Sequence, residues 1–277
     1  PLSMSITSMT WTAGNKPMDH GFLVESCLLS HGLASVSNET IVSAWPKELP
    51  CITWIDEGRI VIGAADEFVR FRASGKANAR IDCDTLAAAL ENGSSGALTA
   101  SGTMAVCARM GVKLAVTCGM GGIGDIVGEE LCPDLPALRD IPVALIATSP
   151  KDVVDIPATL RWLREAGVRL IGADQDRCTG YLFNCVDIPL DHILADEPQP
   201  LGGRTLILNG IPGEKRIADN SLLAQGIAAG HRAEREGRYF HPAANAEFDH
   251  LTDGRSSVIQ LDSIIANARL AAGITHE

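Results

Sequence analysis

The sequence feature that most limits the fold is the alternation of short apolar runs with longer segments rich in alanine and leucine. Several apolar runs lack polar alternation, which is typical of strands buried on both faces. The predicted strands cover residues 21–30, 59–64, 95–101, 112–119, 142–149, 168–173 and 204–210. The predicted helices cover residues 39–45, 66–73, 83–91, 103–110, 151–166, 220–236 and 257–272. This order predicts an α/β protein with a layered α/β/α architecture and a central mixed β-sheet.

The length of 277 residues is compatible with one large domain. A segment rich in proline and glycine at 196–203 fits a surface loop as well as a boundary between two lobes. We therefore predict a single catalytic α/β domain over residues 1–277. Residues 1–19 are predicted to form a loosely ordered N-terminal extension of that domain.

Composition and charge exclude several classes of partner. Hydrophobic residues make up 46% of the chain, a content typical of globular proteins. The formal net charge of −11 would repel a nucleic-acid backbone. No apolar run approaches the roughly 18 residues that a membrane helix needs. The cysteines have neither disulfide nor zinc spacing, which favours a reducing compartment. We expect a cytoplasmic protein that binds a small molecule, with no nucleic acid and no membrane as partner.

A glycine-rich segment at 117–128 follows a predicted strand and contains the letters of a dinucleotide fingerprint at 119–124. The residues that follow are acidic and interrupted by Pro133, which disfavours an anionic pyrophosphate and argues against a nicotinamide-dependent enzyme. Carboxylates such as Glu130 suit Mg²⁺ or Mn²⁺, because these hard cations prefer oxygen ligands. A solvated acidic loop without a ligand is the other interpretation.

Lys151 follows the strand at 142–149 at a position that suits a ligand site, the carboxyl end of a sheet strand. Ser149 as N-cap and Pro150 as first helical residue predict that Lys151 lies in the first turn of a helix. A cation is disfavoured there, which would promote the neutral amine that a Schiff base requires. The alternative is a solvated lysine paired with Asp152 and Asp155.

Glu25 lies at the centre of the apolar segment 21–30. A buried carboxylate is costly unless its pKa rises or a cation neutralises it, and both outcomes are common in active sites. Glu25 is therefore a candidate general acid, unless it reaches solvent or is satisfied by neighbouring amides. His31 follows closely and is interpreted as a turn histidine without an assigned role.

An ordered set of blocks resembles the pseudouridine-5′-phosphate glycosidases, the family that includes the indigoidine-cluster A proteins. The blocks are VESCLLSHGL, GALTASGTM, TCGMGGIG, SPKDVVDI, REAGVRLIGADQD, LNGIP and SVIQLDSIIANARLAAGI. They extend from about residue 20 to residue 273. No single block is specific, but the ordered set is.

The resemblance implies that Glu25 is the general acid and that Lys151 forms an imine with C1′ of the sugar. It also implies a divalent metal ion, with Mn²⁺ expected, at Glu130, where the family has an aspartate. Substrate contacts are implied for four further residues: Arg80, Ala100, Cys132 and Asp134. The resemblance further implies a homo-oligomer, with a homotrimer expected.

The chain departs from the family where the family binds phosphate. The family's block K-x-S-R-R-D reads R-I-D-C-D-T at 80–85, so one cation is kept and two arginines are lost. A His-Arg pair is replaced by Gly124 and Asp125, and a lysine by Ser256. A phosphate dianion needs cations or amide donors, so the 5′-phosphate subsite is the part of the site that the sequence leaves open.

The sequence thus predicts a C-glycosidase or lyase that cleaves, or reversibly forms, the carbon–carbon glycosidic bond of a pseudouridine-type nucleoside or its 5′-phosphate. One alternative is a C-glycoside synthase or lyase that acts on an unphosphorylated or otherwise altered sugar. An alternative of another class is a non-catalytic binding protein with the same fold.

Overall fold

The computed structural model describes residues 21–33, 35–124, 131–196, 201–238 and 240–275. The predicted extension at 1–19 lies outside the described residues. The strands are β1 (Phe22–Val24), β2 (Ile52–Asp56), β3 (Arg59–Gly63), β4 (Arg80–Ile81), β5 (Gly96–Leu98), β6 (Leu114–Val116), β7 (Gly119–Met120), β8 (Ala144–Ala147), β9 (Ser149–Pro150), β10 (Arg169–Gly172), β11 (Arg177–Cys178), β12 (Ile188–Pro189), β13 (His192–Ile193) and β14 (Thr205–Leu208). The helices are α1 (Asn38–Ala44), α2 (Ala65–Ala73), α3 (Leu86–Glu91), α4 (Ala100–Met110), α5 (Asp134–Asp140), α6 (Ile156–Glu165), α7 (Ser221–Arg235), α8 (Phe240–Leu251) and α9 (Arg255–Thr275).

The main sheet of the described residues has the order β13-β10-β14-β8-β6-β1-β2-β5-β4, with β3 paired to β2. The pairs from β13 to β2 are parallel, whereas β2 runs antiparallel to β3 and to β5. Two short pairs, β7 with β9 and β11 with β12, lie outside this sheet. The prediction of a mixed sheet is confirmed.

Two hydrophobic cores cover the two faces of the sheet. Phe22 and Val24 of β1 point into one core and Leu23 points into the other, as the period of two along a strand requires. Helices α1, α2, α8 and α9 contribute to the first core, and α3 to α6 contribute to the second. The layered α/β/α architecture predicted from the sequence is therefore confirmed.

The predicted first strand is too long. The chain leaves the sheet after β1, and Leu28–Gly32 forms a helical turn instead of continuing the strand. The departure begins at Ser26, whose hydroxyl donates to the carbonyl of Thr53 at 2.6 Å and accepts the amide of Leu98 at 2.9 Å. The Ser26 side chain thus forms the hydrogen bonds with β2 and β5 that a continuing strand would otherwise supply, so the chain can turn away from the sheet.

Strand β2 was not predicted, although it lies next to β1 in the sheet. Its residues ITWID are β-branched or aromatic in the first four positions, a pattern that favours a strand. The hairpin to β3 is closed by Glu57 and Gly58, which both have positive φ angles of 51° and 70°. Positive φ angles at both central residues are characteristic of a type I′ turn, whose backbone twist matches that of the two strands in a hairpin. Helices α5 and α8 were likewise not predicted.

The described part of the chain contains no helix that is both long and apolar enough to cross a membrane. All eight cysteines are free, and most are buried, as the sequence predicts. Cys83 and Cys132 are partly buried, and Cys185 is exposed.

Gly102 allows α4 to approach β4 closely, near the carboxyl ends of the strands. A Cβ atom at this position would lie 2.3 Å from the carbonyl oxygen of Ile81. We predict that Gly102→Ala lowers the free energy of unfolding by about 1–3 kcal/mol, because a backbone atom must move. The same substitution at Gly273 of α9 is the control, since a Cβ there meets nothing within 4 Å. Denaturant unfolding of both variants measures the effect, and a Gly102→Ala protein as stable as the control contradicts this packing.

Candidate active site

The ends of several strands converge on one cleft. Lys151 follows β9, Thr99 follows β5, and Arg80 begins β4. These side chains line a cleft of about 360 Å³, here called the outer cleft, together with Cys132 and Asp134. Lys151 lies beyond the carboxyl end of β8 in the parallel part of the sheet, a position where α/β proteins bind ligands, whereas Arg80 and Thr99 come from strands that run in the opposite direction.

A smaller cavity of about 50 Å³, here called the inner recess, adjoins the outer cleft. Glu25, Cys27 and His31 line it, and Lys151 and His241 line both cavities. The two residues predicted to be catalytic therefore share one recess. They are far apart in the sequence, so the fold brings them together and no local pattern could indicate it.

Glu25 is the first residue after β1, and its backbone amide still donates to the carbonyl of Val116 at 2.9 Å. Its side chain is only 6% exposed. Burial raises the pKa of Glu25 to about 7, although the Thr117 hydroxyl and Lys151 favour the ionised form. A carboxyl group with such a pKa can hold a proton near neutral pH and deliver it to a substrate oxygen.

Lys151 does not lie in a helix, so the predicted helix over 151–166 begins too early. Ser149 and Pro150 form β9, which pairs with Gly119 and Met120, and the amide of Lys151 donates to the carbonyl of Met120 at 3.0 Å. Helix α6 starts at Ile156. The predicted dipole effect on Lys151 therefore has no structural basis.

The glycine-rich segment makes room for the Lys151 side chain. A Cβ atom at Gly119 would lie 3.0 Å from Cγ of Lys151 and 2.8 Å from the ring of Tyr181. The glycine is thus required by the close approach of a lysine stem and an aromatic ring. This role differs from the phosphate binding that the same letters have in a dinucleotide fold.

Neither acidic neighbour of Lys151 is available to pair with it. The Asp152 carboxylate is buried and accepts the amides of Tyr181, Leu182 and Phe183 at 2.7–3.1 Å. Asp155 caps α6 by accepting the amide of Ala158 at 2.8 Å. Among the described residues, no carboxylate lies within ion-pair distance of the half-buried Lys151. The alternative interpretation, a solvated Lys151 that forms ion pairs with Asp152 and Asp155, is therefore wrong.

Asp134 joins two walls of the outer cleft. One carboxylate oxygen accepts the amide of Ser101 at the start of α4 at 3.0 Å, and the other accepts the amide of Gly121 at 2.9 Å. Asp134 lines the cleft and is buried, so its charge is held by backbone donors. Its predicted role in substrate contact is compatible with this position and stays a prediction.

The other predicted substrate-binding residues occupy different positions. Arg80 is exposed and reaches both cavities, and Cys132 lines the outer cleft. Ala100 is buried as the first residue of α4, and its neighbours Thr99 and Ser101 line the cleft. Any contact of position 100 with a ligand would therefore use backbone atoms, as the resemblance implies.

The predicted metal ligand Glu130 lies outside the described residues. Within the described ranges, no group of three histidine, cysteine, aspartate or glutamate side chains is placed to hold a metal ion. Asp134, the nearest carboxylate of the segment, already accepts two backbone amides. The described residues alone do not make up a site for Mn²⁺, and metal binding at Glu130 stays a prediction.

Two histidines of the recess went unassigned in the sequence. His31 was interpreted as a turn residue, and His241 was not considered, because α8 was not predicted. Within the described residues, Nε2 of His31 and Nδ1 of His241 are buried without a hydrogen-bond partner. The apolar periodicity of residues 240–251 could have indicated helix α8, which places Phe248 in the core and His241 at the recess.

The raised pKa of Glu25 predicts a pH-dependent stability. The folded protein holds the Glu25 proton up to about pH 7, whereas the unfolded chain releases it near 4.5. Stability conferred by the neutral group is therefore fully present below 4.5 and is lost as the pH rises to about 7. Glu25→Gln lacks this titration, so the wild type should lose about 3 kcal/mol relative to the variant between pH 4 and pH 8. Denaturant unfolding at both pH values measures it, and a constant difference contradicts the burial of this carboxyl group.

Comparison with known proteins relates this site to a family. The model of the indigoidine synthase A-like proteins matches residues 23–277. A pseudouridine-5′-phosphate glycosidase of Methylobacterium nodulans is 27% identical, with 90% of this chain and 80% of that protein covered. The glycosidase of the same name from Paracoccus denitrificans is 29% identical, with 91% of this chain and 90% of that protein covered.

Two solved structures share the fold. An indigoidine synthase A-like protein of Thermotoga maritima superimposes with a TM-score of 0.78 at 20% identity, covering 94% of each chain. The prealnumycin C-glycosynthase AlnA, solved in complex with ribulose 5-phosphate, gives a TM-score of 0.72 at 21% identity over 92% of this chain and 91% of its own. Because the family model extends over nearly the whole chain and the relatives are enzymes, this protein is an enzyme that belongs to the indigoidine synthase A-like family.

Proposed function

We propose that the protein cleaves, or in reverse forms, the carbon–carbon glycosidic bond of a pseudouridine-type nucleoside or its 5′-phosphate. The reaction proceeds through an imine between Lys151 and the ring-opened pentose. The observation that carries the proposal is that the Lys151 amine and the buried Glu25 carboxyl group line one small recess. The names of the relatives, a pseudouridine-5′-phosphate glycosidase and a C-glycosynthase, support the same bond and the same class of sugar.

A C-glycosidic bond sets a specific chemical problem. The base is attached through carbon, so protonation of a linking heteroatom cannot make it a leaving group, and the sugar ring must open first. Glu25 in its neutral form donates a proton to the ring oxygen O4′ while the deprotonated Nζ of Lys151 attacks C1′. The N–C1′ bond forms, the C1′–O4′ bond breaks, and the proton lost by Nζ returns to Glu25.

The second half of the reaction breaks the carbon–carbon bond. The lone pair of Nζ forms the C=N bond of the imine, and the electron pair of the C1′–base bond leaves with the base, which takes up a proton at that carbon. Water then adds to the imine and releases the pentose and the free amine. The atoms sum to the nucleoside and one water on one side and the base and pentose on the other.

One observation favours the second candidate, an unphosphorylated or otherwise altered sugar substrate. With Lys151 acting as the nucleophile, Arg80 is the remaining Lys or Arg side chain among the described residues that line the outer cleft. Asp82 and Asp134 line the same cleft and repel an anion. A dianionic phosphate would therefore depend on Arg80 and on backbone amides.

The experiment that tests the proposed function is a turnover assay with pseudouridine 5′-phosphate and with pseudouridine, in the presence of Mn²⁺. We expect uracil and the matching pentose in equal amounts, measured by chromatography, and the reverse reaction from uracil and the pentose. A higher kcat/KM for pseudouridine than for its 5′-phosphate identifies the second candidate. No turnover of either substrate in either direction contradicts the proposal.

The role of Lys151 predicts the effect of a charge-conserving substitution. Lys151→Arg keeps a cation in the recess but removes the nucleophilic amine, so kcat should fall by at least about a thousandfold. Lys113→Arg is the matched control, because Lys113 is exposed and lies outside both cavities. Steady-state kinetics compares the two variants, and a kcat in Lys151→Arg close to that of the wild type contradicts the imine.

A further inference from the structure

His241 lies at the junction of the outer cleft and the inner recess. It is the second residue of α8, and its side chain lines both cavities, as do those of Lys151 and Arg80. Glu25 lines the recess only. A sugar bonded to Nζ of Lys151 and protonated by Glu25 would occupy the recess and its opening to the outer cleft, both of which His241 lines.

The imidazole of His241 carries an unused hydrogen-bonding atom. Its Nδ1 is buried and has no partner among the described residues. A buried polar atom without a partner costs about 1–3 kcal/mol, so such atoms in native proteins commonly mark a place for a ligand or an ordered water. The ring is held edge-on against Phe240 with the centroids 5.5 Å apart, which restricts the directions in which Nδ1 can point.

The surroundings keep this imidazole uncharged. Burial lowers the pKa of His241 to about 3, and the charges of Lys151 and Arg80 act in the same direction. A neutral imidazole is one donor and one acceptor, and a hydroxyl group can satisfy either. Burial also lowers the pKa of His31, which lines the recess and whose Nε2 is likewise unpaired among the described residues. Two uncharged imidazoles therefore offer unpaired nitrogen atoms to a hydroxyl group in the recess.

The position of the junction indicates which hydroxyl this is. Lys151 bonds to C1′ in the proposed reaction, and Glu25 protonates O4′ inside the recess. The hydroxyl group nearest to the reacting carbon is the one on C2′, because C2′ is bonded directly to C1′, so it is the hydroxyl closest to the side chains that surround Lys151.

We propose that His241 is a substrate-binding residue, whose Nδ1 forms a hydrogen bond with the 2′-hydroxyl of the pentose while the sugar is held between Lys151 and Glu25. This inference rests on the proposed function, because it assumes that the ligand is a pentose. It adds a specificity for ribose over 2-deoxyribose that the resemblance does not assign to this position.

The test compares His241→Phe with His241→Asn. Phenylalanine keeps the ring and its packing on Phe240 but has no hydrogen-bonding atom, whereas the amide of asparagine places a polar atom close to the position of Nδ1. His250→Phe is the matched control, because it is the same substitution at an exposed position of the same helix. Thermal unfolding checks that all three variants fold.

Calorimetry measures the binding of ribose 5-phosphate and 2-deoxyribose 5-phosphate, and of the two unphosphorylated sugars. We expect the wild type and His250→Phe to bind each ribose at least about tenfold more tightly than its 2-deoxy form. This preference should disappear in His241→Phe and should be retained in part by His241→Asn.

A preference for ribose that survives unchanged in His241→Phe overturns the role of His241 and leaves the proposed function intact. A wild-type protein that binds none of the four sugars contradicts the proposed function itself, and the inference with it. Binding of ribose by the wild type separates the two failures, because only then can the measurement on His241→Phe decide the role of His241.

Discussion

The burial of one carboxyl group at the end of the first strand is the constraint on which the site depends. Glu25 is shielded from bulk water, because β1 lies between β2 and β6 in the sheet and the helical turn Leu28–Gly32 continues directly behind it. The free-energy cost of ionising it there raises its pKa to about 7. The same burial lowers the effective dielectric constant around the carboxyl group, which strengthens the electrostatic interactions between Glu25, Lys151 and any sugar bound to them.

Three aspartates around the site form their hydrogen bonds with backbone amides. Asp152 binds the amides at 181–183, Asp134 binds those of Ser101 and Gly121, and Asp155 caps α6. Asp134 thereby fixes two segments that line the cleft, and Asp152 and Asp155 fix the chain that directly follows Lys151. These carboxylates accept hydrogen bonds from backbone amides and do not pair with Lys151, so Lys151 lines the recess with Glu25 without a carboxylate ion pair among the described residues.

The architecture could be predicted from the sequence because the alternation of apolar runs and helical segments is visible locally. The same apolar residues form the two cores that cover the faces of the sheet. Glu25 could be found because an acid in an apolar run is conspicuous. The surroundings of Lys151 could not, because Ser149 and Pro150 have the residue types of a helix start, whereas the helix begins only after Asp155. Pairing of β9 with the distant β7 holds Ser149 and Pro150 in a strand, and no local pattern encodes that pairing. His241 was missed for a similar reason, since only the packing of α8 brings it to the recess.

Reductive trapping of a lysine–sugar adduct shows whether Lys151 is the nucleophile. The protein is treated with ribose 5-phosphate or ribose and sodium borohydride, digested, and analysed by peptide mass spectrometry. We expect one reduced pentose adduct, on the peptide that contains Lys151 and at that residue. An adduct confined to other lysines, or none at all under conditions where turnover is measured, would contradict the imine.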